Sequence, residues 1–194
     1  TSVTTDANWL DNYAQWTSYV LYTPEVRISA VHFYALDGDD EAVQISNLGV
    51  GPADLSGWRL DDGEGSVLVP AGYHLAAGAS AWLARDATVF AAQFGFAPDL
   101  ELAGSDPAVP DLSGTWPVLA NDGDEVLLLD AGEVVQDVLV YGQGDTQTAG
   151  WVGAALQPYS ASSLSVAGQI LYRKLDEGSG RLMPDSDTAA DWAQ

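Results

Sequence analysis

From Glu25 to Tyr141 the chain is a succession of short apolar runs, each closed by Gly, Asp, Asn or Pro, and this pattern constrains the fold more than any other feature. The runs are VRISAVHFY (26–34), EAVQISNL (41–48), LSGWRL (55–60), SVLVP (66–70), SAWLAR (80–85), EVLLLD (125–130) and EVVQDVLVY (133–141). Their length and spacing predict strands of an antiparallel β-sandwich. Val43 and Ile45 alternate with Gln44 and Ser46, as expected of a strand with one dry and one wet face. Leu127, Leu128 and Leu129 break the alternation, which predicts a central strand. Asp37-Gly38-Asp39-Asp40 and Ala131-Gly132 are hairpin turns in which Gly is expected to supply positive φ.

Outside these runs the pattern loosens. Ala87 to Phe96 predicts one or two helical turns with Val89, Phe90 and Phe94 inward, and the Pro-rich stretch that follows reads as a surface loop. At the N-terminus Thr5 or Asp6 caps a short helix carrying Trp9, Tyr13, Trp16 and Val20, or residues 1–24 form an extended arm. Either way the aromatics Trp9, Tyr13, Trp16, Tyr19 and Tyr22 require a cover. Past Tyr141, a Ser-rich link leads to QILYRKL (169–175), which reads as a returning strand. The expected organisation is therefore an N-terminal aromatic segment (1–24), a sandwich (25–142) and a C-terminal extension packing back on it (143–194). DLSG occurs twice, at Asp54 and Asp111. The first copy predicts buried Leu55 and Trp58 around a tight Ser56-Gly57 step; the second runs into Pro117, which has no ladder N–H, and reads as an insertion whose Trp116 faces a partner.

Composition narrows the partners. Twenty-eight Asp and Glu against six Lys and Arg give a formal charge of -22, so phosphate backbones and anionic bilayers are repelled, and neither nucleic acid nor membrane insertion is expected. With 47% hydrophobic residues the 194-residue chain still has enough apolar material for a core. It has no Cys, which excludes disulfides, thiol nucleophiles and cysteine-ligated zinc. A first residue other than Met, and an end directly after an apparent motif, lead us to expect a part of something longer.

Several segments, in order, resemble the lamin tail domain family: VRISAVHF, DDEAVQISNLG, DLSGWRLDD, VPAGYHLAAGASAWLAR, LANDGDEVLLLDAGEVVQDVLVYG and RKLDEGSGRLMPDSDTAADW. The resemblance covers about Val26 to Trp192 and leaves residues 1–24 outside. It implies an all-β, immunoglobulin-like antiparallel β-sandwich without a shared active site, found in secreted bacterial proteins. The tail is particularly similar to lamin tail domains that precede phospholipase-D-like domains. The chain departs from the pattern in having Gln44 where Glu is common and a longer loop around Pro98 to Thr115.

Catalytic chemistry finds little support. A phospholipase-D-like site needs an HxK pair, yet the histidines are His32 and His74 and the single Lys is Lys174. Neither His lies near a GxSxG elbow, and structural roles are expected for both. Paired carboxylates are so abundant that they carry no signal for glycoside hydrolysis. For a metal, strand direction brings the turn with Asp37, Asp39 and Asp40 to the same end as Asp61, Asp62 and Glu64, a candidate calcium set of hard oxygen ligands. Trp58 and Trp82 lie in strands and read as core. Trp9, Tyr13, Trp16, Trp116 and Trp151 lie in irregular or terminal regions and read as an interface.

The expectation is thus a non-catalytic extracellular or cell-surface module that acts through protein contacts, including contacts with other copies of itself. The N-terminal arm pairing with a neighbour's edge strand would build a filament. The alternatives are an accessory domain of a secreted phospholipase-D-like or nuclease enzyme, and a calcium-dependent carbohydrate-binding module. No cofactor other than calcium is expected.

Overall fold

A computed structural model describes residues 24–158 and 167–193 of the chain. In chain order its strands are β1 (Val26–His32), β2 (Ala42–Asn47), β3 (Ala53–Asp54), β4 (Arg59–Asp61), β5 (Ser66–Leu68), β6 (His74–Leu75), β7 (Ser80–Ala84), β8 (Leu100–Glu101), β9 (Ser113–Thr115), β10 (Gly123–Leu129), β11 (Val135–Gly142), β12 (Ile170–Arg173) and β13 (Trp192–Ala193). One helix, α1 (Ala87–Phe94), lies between β7 and β8. The strands form a six-stranded sheet, β13-β12-β1-β2-β7-β8, a five-stranded sheet, β11-β10-β4-β5-β9, and a ribbon of β3 and β6. Every pairing is antiparallel except β7 with β8. The all-β sandwich is the predicted one.

The core lies between the two large sheets. Ile28, Val31, Val43, Ile45, Leu83 and Leu171 of the first meet Leu60, Val67, Val126, Leu128, Leu139 and Tyr141 of the second. In β1 the inward positions change phase, from Val26 and Ile28 to Val31 and Phe33. A register shift between Ile28 and Ala30 absorbs the change and leaves Ser29 at the irregularity.

Local chemistry explains most boundaries and corrects several expectations. The run 55–60 is not one strand: the Leu55 carbonyl accepts from Trp58 N–H across a turn in which Asp54 accepts from Ser56 and Gly57 takes φ 75°, and the strand resumes at Arg59. Leu55 and Trp58 are buried, as expected. The second DLSG also turns Leu112 inward and places Gly114 at φ 120°, in the edge strand β9 that ends before Pro117. In the β10–β11 turn the positive φ falls on Glu133 (63°) rather than on Gly132, because Asp130 caps the turn by accepting from the N–H groups of Gly132 and Val134. Gly38 likewise needs no positive φ. Leu127 and Leu129 are only half-buried: β10 is interior within its sheet, but one of its faces looks outward.

The helical turns expected over residues 87–96 form as α1. Asp86 caps α1 by accepting from Thr88 and Val89, Gly95 closes it at φ 79°, and Phe90 is fully buried. Beyond residue 142, Trp151, Ala155 and Leu156 enter the core, and β12 and β13 supply two strands of the six-stranded sheet.

Candidate functional site

The outer face of the six-stranded sheet divides into two halves. On one, Ala30, Ala42, Trp82 and Ala84 form a small apolar platform that α1 covers with Phe90 and Phe94. Phe94 stacks on Trp82 and meets the edge of His32. On the other half no helix among the described residues lies over the sheet, and the outward side chains are Ser29, Gln44, Ser46, Ser80 and Tyr172.

The uncovered half is the floor of a groove of about 980 Å³. Its hydroxyls form a row across three strands: Ser46 Oγ donates to Ser29 Oγ and lies 2.7 Å from Ser80 Oγ, while Ser29 Oγ is 2.9 Å from Gln44 Oε1. This row satisfies its own polar groups, so an occupant need not replace bound water on every one of them. The walls are apolar and exposed: Val50 (86%), Leu175 (57%) and, rising from the floor, Tyr172 (49%).

Two devices hold the walls. Asn47, at the end of β2, donates through Nδ2 to the carbonyls of Gly51 and Leu75 and accepts from Gly49 N–H, which fixes the 48–51 loop against residues 75–76. The opposite wall is a small hairpin in which Leu175 pairs with Leu182. Its base is Arg173. The Arg173 guanidinium, 3% exposed, holds Asp137 of β11 through Nη2 at 2.9 and 2.7 Å, Asp185 at 3.0 Å, and the carbonyl of Ile28 through Nε, and stacks over Trp192. Asp137 also accepts from Ile28 N–H. Ile28 lies beyond the last β1–β12 pair at Ala30, so its backbone groups are free for Arg173 and Asp137. The cluster thereby ties both sheets and the C-terminal hairpin together.

Burial pushes the Asp137 carboxyl up to about 7, against the pull of Arg173. Asp185 is also penalised by burial, yet Arg173, the Asp187 N–H and Arg27 together hold it below the usual carboxylate range. At the other end of β2, burial pushes Glu41 up to about 7 against the opposing effects of Arg85 and of the Trp116 indole N–H, which donates to Glu41 Oε2 at 2.9 Å.

The predicted calcium set is not brought together. Asp39 pairs with Arg85, Asp40 accepts from Leu36 N–H and lies 3.3 Å from His32, and Asp61 and Asp62 accept from the backbone of their own turn. Asp37 accepts from Asp40 N–H through its backbone carbonyl, and Glu64 is exposed. Both acidic turns do lie at one end, but Trp116 separates them: its indole reaches Glu41 and its carbonyl packs at Gly65. Among the described residues the acidic side chains close enough to share an ion are Asp137, Asp185 and Asp187, where the guanidinium of Arg173 already neutralises Asp137 and Asp185.

The interface set is corrected too. Trp116 (4%) and Trp151 (7%) are core residues, reaching the core from irregular segments. Trp9, Tyr13 and Trp16 lie outside the described residues. The groove residues Val50, Tyr172 and Leu175 were missed. The available signal was Tyr172 at an outward position of an expected strand, and serines at outward positions of three strands.

Ser56, Asp54 and His74 form no catalytic triad. The Ser56 hydroxyl donates to Asp54 at 2.5 Å, and His74 Nδ1 stands 3.9 Å from the same carboxylate, on a surface where both side chains are more than half exposed.

The fold has known counterparts. A solved DUF4876 family protein from Bacteroides thetaiotaomicron VPI-5482 is similar with a TM-score of 0.61 and 12% sequence identity, over 87% of this chain and 70% of that one. Comparison with curated proteins gave no match. The Lamin Tail Domain model matches residues 22–143, which include both large sheets up to the end of β11, the Asn47 turn and the first DLSG segment, and this chain belongs to the lamin tail domain family.

Proposed function

We propose that the chain is a non-catalytic module that acts outside the cell by protein contacts, and that the open half of the six-stranded sheet makes them. The observation that carries this reading is the groove itself: a concave, self-satisfied polar floor between exposed Val50, Tyr172 and Leu175, on an otherwise strongly acidic molecule. Edge pairing has less to offer. β13 has two residues and β9 three, β8 is bridged by Asp111, and the C-terminal end of β11 is bridged by Leu156, which leaves the first part of β11 as the longest available edge. The face, rather than an edge, is the contact surface in this reading.

The test is capture of a partner from the surface or secreted fraction of the native source, comparing the natural chain with Val50→Ser/Tyr172→Ser/Leu175→Ser. All three side chains are exposed, so the melting temperature should change little while capture falls at least tenfold. Equal capture by both chains would refute the groove as the contact surface.

A further inference from the structure

We infer that the groove is occupied by the N-terminal segment of the same chain, through the uncharged aromatic stretch Asn12 to Pro24. This rests on the reading of the groove as a contact surface, and names its resident occupant. Three observations point to it.

The first is continuity. Glu25 lines the groove, and its carbonyl is fixed there by Leu48 N–H at 2.7 Å, so the chain enters β1 from the groove's own rim. At about 3.3 Å per extended residue, the last ten residues of the stretch alone reach roughly 30 Å, enough to traverse a groove of this size.

The second is charge. Asn12 to Pro24 contains no charged residue, whereas the chain as a whole has a formal charge of -22. The groove is a near-neutral place on that surface: Glu25 and Arg181 line it with one charge of each sign, and Arg173 is neutralised from beneath by Asp137 and Asp185. A neutral segment suits this groove better than any acidic surface of a second copy.

The third is side-chain chemistry. Tyr13, Trp16, Tyr19 and Tyr22 offer flat amphipathic rings, a chemistry suited to exposed apolar walls such as Val50, Tyr172 and Leu175 above a floor of hydroxyls. A tethered segment acts at an effective concentration near the millimolar range, which favours it over the same segment of another molecule.

The absence of cysteine allows a direct test in the full-length chain. Tyr19→Cys is combined with Leu175→Cys in the groove or, as a control, with Val134→Cys, an exposed position on the β10–β11 turn. Under mild oxidation the Tyr19→Cys/Leu175→Cys chain should form a disulfide within the monomer at least ten times faster than the control, and adding Val50→Asp should slow it severalfold. Equal rates in the two pairs would overturn the inference, and so would disulfide-linked dimers in place of the internal bond. Neither result bears on partner capture by the groove triple variant, so failure of this inference and failure of the functional reading are separable.

Discussion

The two halves of one sheet face are built from the same strands and differ in what covers them. Where α1 lies over the sheet, the outward residues are Ala30, Ala42, Ala84 and Trp82, small or flat enough to admit Phe90 and Phe94. Where nothing described covers it, the same strands carry Ser29, Gln44, Ser46 and Ser80, which satisfy one another. The contrast is one of side-chain chemistry: the alanines pack beneath α1, whereas buried Ser29 and Ser46 bond to each other and the row reaches the surface at Ser80. A face with hydroxyls on its floor and exposed hydrophobic walls is suited to an occupant that comes and goes.

The largest effect should come from beneath the open half. Arg173→Met removes the counter-charge of fully buried Asp137, and unfolding by urea should report a loss of about 3–5 kcal/mol. Adding Asp137→Leu should recover most of it, since an apolar pair leaves no uncompensated charge. On the covered half, Phe90→Ala should cost about 3–4 kcal/mol by opening a cavity among Trp82, Phe94 and Phe96. If Phe90→Ala instead proved neutral, the helix would not be a genuine cover and the contrast between the halves would fail.

Glu41 supplies a pH test at the inner side of the covered half. Its pKa is raised in the folded chain, from 4.5 to about 7, so the folded state binds the proton more tightly than the unfolded state. Stability from this group is therefore present below pH 4.5 and is lost as pH rises through 7. Glu41→Gln, which keeps an acceptor for Trp116, should match the natural chain near pH 4.5 and exceed it by about 2 kcal/mol at pH 8. Melting curves across that range check it. The smallest effect is expected for Ser80→Ala, at the exposed end of the hydroxyl row, where thermal unfolding should show a change within about 0.5 kcal/mol.

Much of the framework could be read from periodicity. Alternation in 41–48 placed Val43 and Ile45 inward because a strand's side-chain period is two, and QILYRKL (169–175) predicted β12 within the returning run. The short pairs β3, β6, β8 and β13 escaped because two residues carry no period. The groove escaped for another reason: its floor and walls come from residues 25–29, 44–50, 77–80 and 172–184, and no local pattern links them. Trp116 and Trp151 were misplaced as interface residues because burial of a side chain in an irregular segment depends on what lies across the core from it.

By itself, the chain's order of apolar runs and turn residues determined an antiparallel sandwich, its main strands and the Leu55 and Trp58 anchors, since those follow from local backbone geometry and alternation. Only the tertiary structure decided that the acidic turns stay apart, that Arg173 joins the two sheets through Asp137, and that α1 covers one half of a sheet face while no other described element covers the second. Those outcomes depend on distances between residues far apart in sequence, and burial and electrostatics act through distance in space.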